Sequence, residues 1–363
     1  MTTHNQRAVH PAASALAILL VLAGVQAIWW RFLVYRTPTP RIMGPGPPFI
    51  PPDGPVINIP GRADVIVTTI AGSEQPGDAD GPGYSARFDR PTGLAVDKSG
   101  NLYVADTGNN RIRLVRPSGD TTTLAGLGAG LADGAANARF TAPCGVAVGP
   151  NGNLYIADTG NHRIRTILAT GTTSTVSGSD KGFVNGPIAN ARFCFPGSVA
   201  AGDTDRLYVA DIGNHCVRQV LNGQVTTLAE PPAAAKSSST GAIVIGGSAV
   251  YGLPIRSEAS LTPAQAAVLR LNHPAAVCAF ADGWLVIDEK HGAVFLVRNG
   301  TAEVIAGRCN SIAMQTGQFD GSGATALFGT LGGLATDGKR YVYVADTSYN
   351  TIRRLDISEL IRR

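Results

Sequence analysis

Apolar positions along this chain fall into short runs, each ended by an aspartate and followed by a polar turn and a second apolar run. NLYVADTGNNRIRLV, from Asn101 to Val115, shows the pattern, which recurs as NLYIADTGNHRIRTI (Asn153 to Ile167) and RLYVADIGNHCVRQV (Arg206 to Val220). A weaker copy, GWLVIDEKHGAVFLV, occupies Gly283 to Val297, and YVYVADTSYNTIRRL closes the series at Tyr341 to Leu355. Short apolar runs joined by such a turn predict a strand, a loop and a strand. Both faces of the first run are apolar (Leu102, Tyr103, Val104, Ala105), so neither face of its sheet can lie in water. Each unit must be a sheet pressed between neighbours.

The unit is larger than the hairpin. Before each copy stands a strand opening at a proline, as in PTGLAVDKSGN (Pro91 to Asn101), PCGVAVGPNGN (Pro143 to Asn153) and PGSVAAGDTDR (Pro196 to Arg206). After it comes a strand ending in small residues: TTTLAG (Thr121 to Gly126), TSTVSG (Thr173 to Gly178), VTTLAE (Val225 to Glu230) and AEVIAG (Ala302 to Gly307). Four-stranded sheets repeating with no helix between them predict an all-β propeller. Ala95, Ala147, Ala200, Cys278 and Ala335 recur on the first strand and suit a crowded centre. Val65 to Gly72 (VIVTTIAG) reads as a fourth strand with no three before it, and the last repeat has three strands and no fourth. The amino-terminal strand is therefore expected to complete the last blade, which leaves no edge unpaired. The count is then five blades. Six is the alternative, because the interval from Asp211 to Asp288 is longer than the others. That interval holds an inserted loop (230–270) with a hairpin, GAIVIGGSAVYGL, and a short helix, TPAQAAVLRL, capped by Thr262.

The succession TTLAG, DG, ARF, P-x-G-L-A-V, G-N-L-Y-V-A-D-T-G-N and R-I-R resembles the NHL-repeat propellers, and the likeness covers residues 65 to 357. It implies the propeller fold and leaves the activity open, since that family includes RNA binders, extracellular scaffolds and a zinc-dependent lyase of peptidyl hydroxyglycine.

Composition agrees with this fold. Gly, at 44 of 363 residues, is about 12%, against a usual ~7%, as many tight strand connections require. The net charge of +4 permits an anionic partner without arguing for one. The five cysteines, Cys144, Cys194, Cys216, Cys278 and Cys309, show no C-x-x-C spacing. Cys194 and Cys216 fall in one blade, but on strands that are not neighbours.

Ahead of the propeller (63–358), residues 1–11 form a tail and 12–35 a hydrophobic segment. Ala12 to Trp30 carries no charge and, as a helix, spans ~28 Å, close to the ~30 Å of a bilayer core. Trp29, Trp30, Tyr35, Arg31 and Arg36 read as an interface anchor. A cleaved signal peptide, cut after Val25-Gln26-Ala27, is the competing reading. Residues 36–62 are a proline- and glycine-rich spacer, and 359–363 a short tail. Arg31, Arg36 and Arg41 place the propeller in the cytoplasm by charge. The sequon Asn299-Gly300-Thr301 and the signal-like order of the segment favour the extracytoplasmic side.

Because strands alternate in direction, the DTGN loops share one face with the DG-containing connections, and that face is the candidate binding surface. Asp106, Asp158, Asp211, Asp288 and Asp346 recur there and are expected to take up backbone N–H groups. Arg113, Arg165, Arg218 and Arg353 recur on the third strand, placed to bridge to the next blade. The binding candidates are Asn109, Arg111, His162, Arg163, His215, Glu289 and His291. No catalytic set, metal or cofactor is expected. Only His273 precedes an innermost-strand proline, the counterparts being Arg90, Ala142 and Phe195, so a three-histidine zinc site is missing there. Three function classes remain: a membrane-held, non-catalytic scaffold for a protein, peptide or glycan; a metal-dependent lyase or hydrolase; and an RNA-binding module. The last is disfavoured because the loops show no basic clusters with stacking aromatics.

Overall fold

The computed structural model describes residues 58–202, 205–229, 244–245, 248–249, 255–256, 274–280, 283–288, 291–298, 301–310 and 317–361. They form an all-β propeller of five blades. The first blade runs from the axis outward as Pro91–Val96, Leu102–Asp106, Arg111–Val115 and Thr121–Ala125. The second is Pro143–Val148, Leu154–Asp158, Arg163–Ile167 and Thr173–Ser177. The third is Pro196–Ala201, Leu207–Asp211, Cys216–Leu221 and Gln224–Ala229, and the fourth is Pro274–Phe280, Gly283–Asp288, Ala293–Arg298 and Thr301–Asn310. The fifth comprises Leu331–Thr336, Tyr341–Asp346 and Thr351–Asp356, against which Ile66–Gly72 lies antiparallel, in register from Ile66↔Asp356 to Gly72↔Thr351.

Alternation along the second strand decides how blades pack. Leu102 and Val104 point to the preceding blade and join Ala335, Tyr343, Ala345 and Ile352 of the fifth. Tyr103 and Ala105 point the other way, with Ile112, onto Phe140, Val146, Leu154 and Ile156 of the second. The same division builds the core between the second and third blades and that between the fourth and fifth. One face of a blade thus carries large aliphatic side chains, the other small and aromatic ones, and each fits its neighbour.

The closest approach of the innermost strands is at glycine rather than at the recurring alanines. A Cβ on Gly93 would collide with the Cys144 carbonyl, one on Gly145 with Ser198 and one on Gly333 with the Thr92 carbonyl. Ala95 and Ala147 instead lie at the margins of the interblade cores, since a residue two places along a strand has already diverged from the axis.

Each blade's outer edge is covered. Gly81 bridges to Thr121, Gly134 to Thr173, Gly186–Pro187 to Gln224–Val225, and Gly321–Ser322 to Ile66–Val67. The connection entering a blade therefore caps that blade's outermost strand. On the fourth blade the cap is Asn58–Pro60, paired with Arg308–Asn310, inside the stretch read as spacer from its prolines. Pro60 is tolerated there because an edge strand needs only alternate N–H groups. Ile255–Arg256 pairs parallel to the same outer strand, and the inserted segment holds a small hairpin, Val244–Ile245 with Ser248–Ala249. Thr262 and the helix it was to cap lie outside the described residues.

The carboxy-terminal end is not a free tail: Ser358–Ile361 is a helical turn whose Leu360 is buried in the core of the fourth and fifth blades. Cys194 and Cys216 are not bridged to each other. No helix among the described residues is long and apolar enough to cross a membrane, and residues 12–35 lie outside them.

Candidate functional site

The loop face is best built up from one residue, Asp106, which is fully buried. Its Oδ1 accepts the Asp89 N–H (2.8 Å), and its Oδ2 accepts Arg113 Nη1 (2.7 Å) and Asn109 Nδ2 (2.9 Å). Asn109 gives its second amide proton to the Gly77 carbonyl (2.6 Å). Arg113, also fully buried, donates from Nη2 to Asp80 and to the Ala79 carbonyl, each at 2.8 Å, and lies 5.1 Å from the centre of the Phe88 ring. One carboxylate therefore holds together the hairpin, the entry to the innermost strand and, through the arginine, the incoming connection.

The arrangement repeats with Asp158, Arg165, Asn161, Asp133 and Phe140, and again with Asp211, Arg218, Asn214, Asn185 and Phe193. In the fifth blade Arg353 grips Asp320 and stacks on Phe328, but stands 3.5 Å from Asp346. Burial pushes all four carboxyls up against these stabilising contacts, and Asp346, whose guanidinium is more distant, reaches about 6. The arginines thus serve their own blade and the connection before it, not the next blade. The bridge to the next blade is made by threonine: Thr107 donates to the Pro143 carbonyl, Thr159 to that of Pro196 and Thr347 to that of Pro91, each at 2.7 Å.

A second interblade bond involves left-handed backbone on both sides. Asn110 (φ 57°) accepts the N–H of Ala142 (φ 46°), and Asn350 (φ 54°) accepts that of Arg90 (φ 51°), each at 2.8 Å. At the same loop position stands His162 (φ 57°), whose Nδ1 accepts the N–H of Phe195 (φ 49°) at 3.1 Å. Only the neutral ring can accept at Nδ1. Burial, then the nearby Lys181 and Arg163, hold this imidazole below its ordinary range.

These contacts show where the fold places the binding candidates that lie among the described residues. Asn109 and His162 are occupied by the fold, since a buried loop must satisfy its own backbone. Arg111 forms an ion pair with Asp78 (2.9 Å). Among the described residues Arg163 donates to the Asn161 carbonyl (2.7 Å) and to no carboxylate. His215 is exposed at the loop position of His162, with φ 54°. His291 is buried, 3.2 Å from Asp288, in the place of Asn109. Glu289, Asn299 and His273 lie outside the described residues. Among the described residues no three His, Cys, Asp or Glu side chains converge to hold a metal ion. Sequence reading overlooked Asp80, Asp133, Asn185 and Asp320 as arginine partners. The signal was present, an Asp or Asn before a glycine 32 or 33 residues ahead of each arginine.

The model of the NHL repeat matches residues 88–113, 140–167 and 193–220, each span running from the phenylalanine under the guanidinium to the third strand. The chain carries NHL repeats. NHL repeat-containing protein 2 of Bos taurus is 41% identical over 120 residues, covering 31% of this chain and 16% of that protein. Teneurin-3 of Mus musculus is 32% identical over 142 residues, covering 34% of this chain and 5% of its own length. This chain therefore spans a small fraction of the curated relatives it matches. Among solved structures it is similar to a gluconolactonase of Xanthomonas campestris (12% identity, TM-score 0.49, 84% of this chain and 98% of that one). It is also similar to virginiamycin B lyase of Staphylococcus aureus (13% identity, TM-score 0.46, 81% and 99%). The matched NHL repeats are the first three blades. The fourth has Phe295 in place of the arginine and His291 in place of the asparagine.

Two predictions follow from the repeat. Arg113→Met strands Asp106 in the interior and costs about 3–5 kcal/mol in urea unfolding; adding Asp106→Asn, which removes the orphaned charge, recovers part of the loss. Because the folded state holds His162 neutral, the stability this contributes is present above the unfolded imidazole's pKa of about 6.5 and is lost as pH falls through the lower folded value. His162→Asn supplies the acceptor found in the first and fifth blades. Its thermal unfolding midpoint should fall less between neutral and mildly acidic pH than that of the wild type.

Proposed function

We propose that this NHL propeller is a non-catalytic binding module whose loop face and connections receive a protein or peptide. The observation that carries the reading is the division of labour among the loop residues. Recurring Asp, Asn, Arg and Thr side chains are turned inward and consumed by the fold, whereas the outward positions of the connections hold large apolar groups. Leu127 is 57% exposed, Leu131 47%, Phe183 48% and Phe319 63%. Exposed side chains of this kind on a rigid, hydrogen-bonded backbone suit a polypeptide partner, whose affinity comes from a few apolar anchors. A glycan fits less well, since it asks for polar groups that here are already engaged.

The same proposal includes a tether. Residues 12–35 hold the module at a membrane, and the proline-rich stretch after them leads to Asn58–Pro60 on the fourth blade and Ile66–Gly72 on the fifth, which latch the ring. The sequon at Asn299 supports an extracytoplasmic propeller.

A photo-crosslinking residue at Phe183 or Phe319, introduced in the native cell, should yield discrete protein adducts that are absent when it replaces Lys98 in a loop at the opposite end of the first blade. Equal labelling at Lys98 would count against a dedicated face. Alkaline carbonate should leave the full chain in the membrane pellet and release a chain shortened to begin at Asp53. Asn299→Gln should abolish an endoglycosidase-sensitive mass, and lack of that mass in the wild type would put the propeller in the cytoplasm.

A further inference from the structure

At the joint between the second and third blades, two cations of the loop face stand without a carboxylate partner among the described residues. In the first blade Arg111 is paired with Asp78. Where the second blade should carry the counterpart of Asp78 it carries Leu131, so Arg163, the counterpart of Arg111, meets no carboxylate among the described residues and donates there to the Asn161 carbonyl. Lys181, exposed on the next connection, makes no ion pair among the described residues; its ammonium lies 4.8 Å from the centre of the Phe195 ring. Asp180 beside it is exposed and pairs with neither cation. The same Phe195 ring lies 4.4 Å, centre to centre, from the imidazole of His162, the residue before Arg163, so the two cations belong to one joint. Two exposed apolar side chains belong to the same connections: Leu131, at the position from which Asp78 reaches Arg111, and Phe183, two residues from Lys181.

Resting on the reading of this face as a polypeptide-binding surface, we propose that the second–third joint receives an acidic segment of a partner protein, its carboxylates meeting Arg163 and Lys181 and an apolar side chain meeting Leu131 and Phe183. Charge complementarity selects the occupant. Two cations without carboxylate partners beside apolar groups suit a short acidic–aromatic sequence. A phosphate backbone, whose binding is a sum over many contacts, would need a longer basic track than the joint offers.

The test uses the full chain in detergent and three fluorescein-labelled probes followed by anisotropy: a peptide alternating Glu with Phe, its counterpart with Gln for Glu, and oligouridylate. The acidic peptide should bind at least about tenfold more tightly than the Gln peptide. Its affinity should fall as NaCl rises from about 50 to about 200 mM. Lys181→Glu should weaken it by about tenfold or more. Leu131→Asp, which restores the acid of the first blade without removing a cation, should weaken it similarly. Both positions are exposed, so thermal unfolding should be unaltered. Equal affinity for the two peptides, indifference to Leu131→Asp, or tighter binding of oligouridylate overturns the proposal. If the Gln peptide binds equally and Phe183→Ser abolishes it, acidic selectivity falls while the polypeptide-binding reading stands. If neither peptide binds, both fall.

Discussion

The constraint on which the structure depends is the burial of a carboxylate at the end of each blade's second strand. Asp106, Asp158, Asp211 and Asp346 are fully excluded from solvent, as are Arg113, Arg165, Arg218 and Arg353 on the third strands, whose guanidinium groups approach them. Removing two such charges from water is costly unless every remaining lone pair and proton is satisfied. That requirement dictates the rest of the unit. It calls for an asparagine three residues on in the first three blades, a backbone N–H seventeen residues back, an aromatic ring under the guanidinium, and an Asp or Asn on the connection. The motif has fixed spacings because one network joins four segments, and a displaced member would leave a buried polar group without a partner.

The blades are fastened to one another by a different device. Arg90, Ala142 and Phe195 adopt left-handed backbone that L-residues avoid by roughly 1–2 kcal/mol. Each is held there by an acceptor on the preceding blade: Asn350, Asn110 or His162. Local strain in one blade is thus offset only when its neighbour is in place, which makes the joint cooperative. Chemistry at the joint can then vary with little change of geometry, as the replacement of asparagine by histidine shows.

What the sequence disclosed follows from this logic. Short runs apolar on both faces, and their recurrence, were sufficient for the blades, because burial on both faces of a sheet has few other solutions. Asn58–Pro60 was missed because its prolines argue against a strand, and only an edge position reconciles the two. The arginines were assigned to the wrong neighbour because a donor and an acceptor 33 residues apart, as Arg113 and Asp80 are, look remote until the connection folds back along the outer strand. Asn109 and His162 were drawn into the candidate site by their polarity, and the fold engages both in its own hydrogen bonds. Leu131 could not be singled out at all: a surface leucine has no meaning until the Asp78–Arg111 pair shows what it replaces.

The fourth blade shows the consequence of giving up the arginine. Phe295 occupies its place opposite Val286, as Arg113 faces Val104 in the first blade. In the other blades that arginine's Nη2 also grips the incoming connection, at Asp80, Asp133, Asn185 or Asp320, which holds the connection to one length and one path. A phenylalanine has no donor with which to do so. The connection entering the fourth blade is the long one, carrying the inserted stretch from 230 to 270. It is also this blade whose outer strand is extended to ten residues and paired with both Asn58–Pro60 and Ile255–Arg256. Main-chain pairing at the edge thus takes over the fastening that the side-chain clamp performs elsewhere. Pairing of that kind tolerates insertions, because it specifies direction and register but not which residue supplies the hydrogen bond.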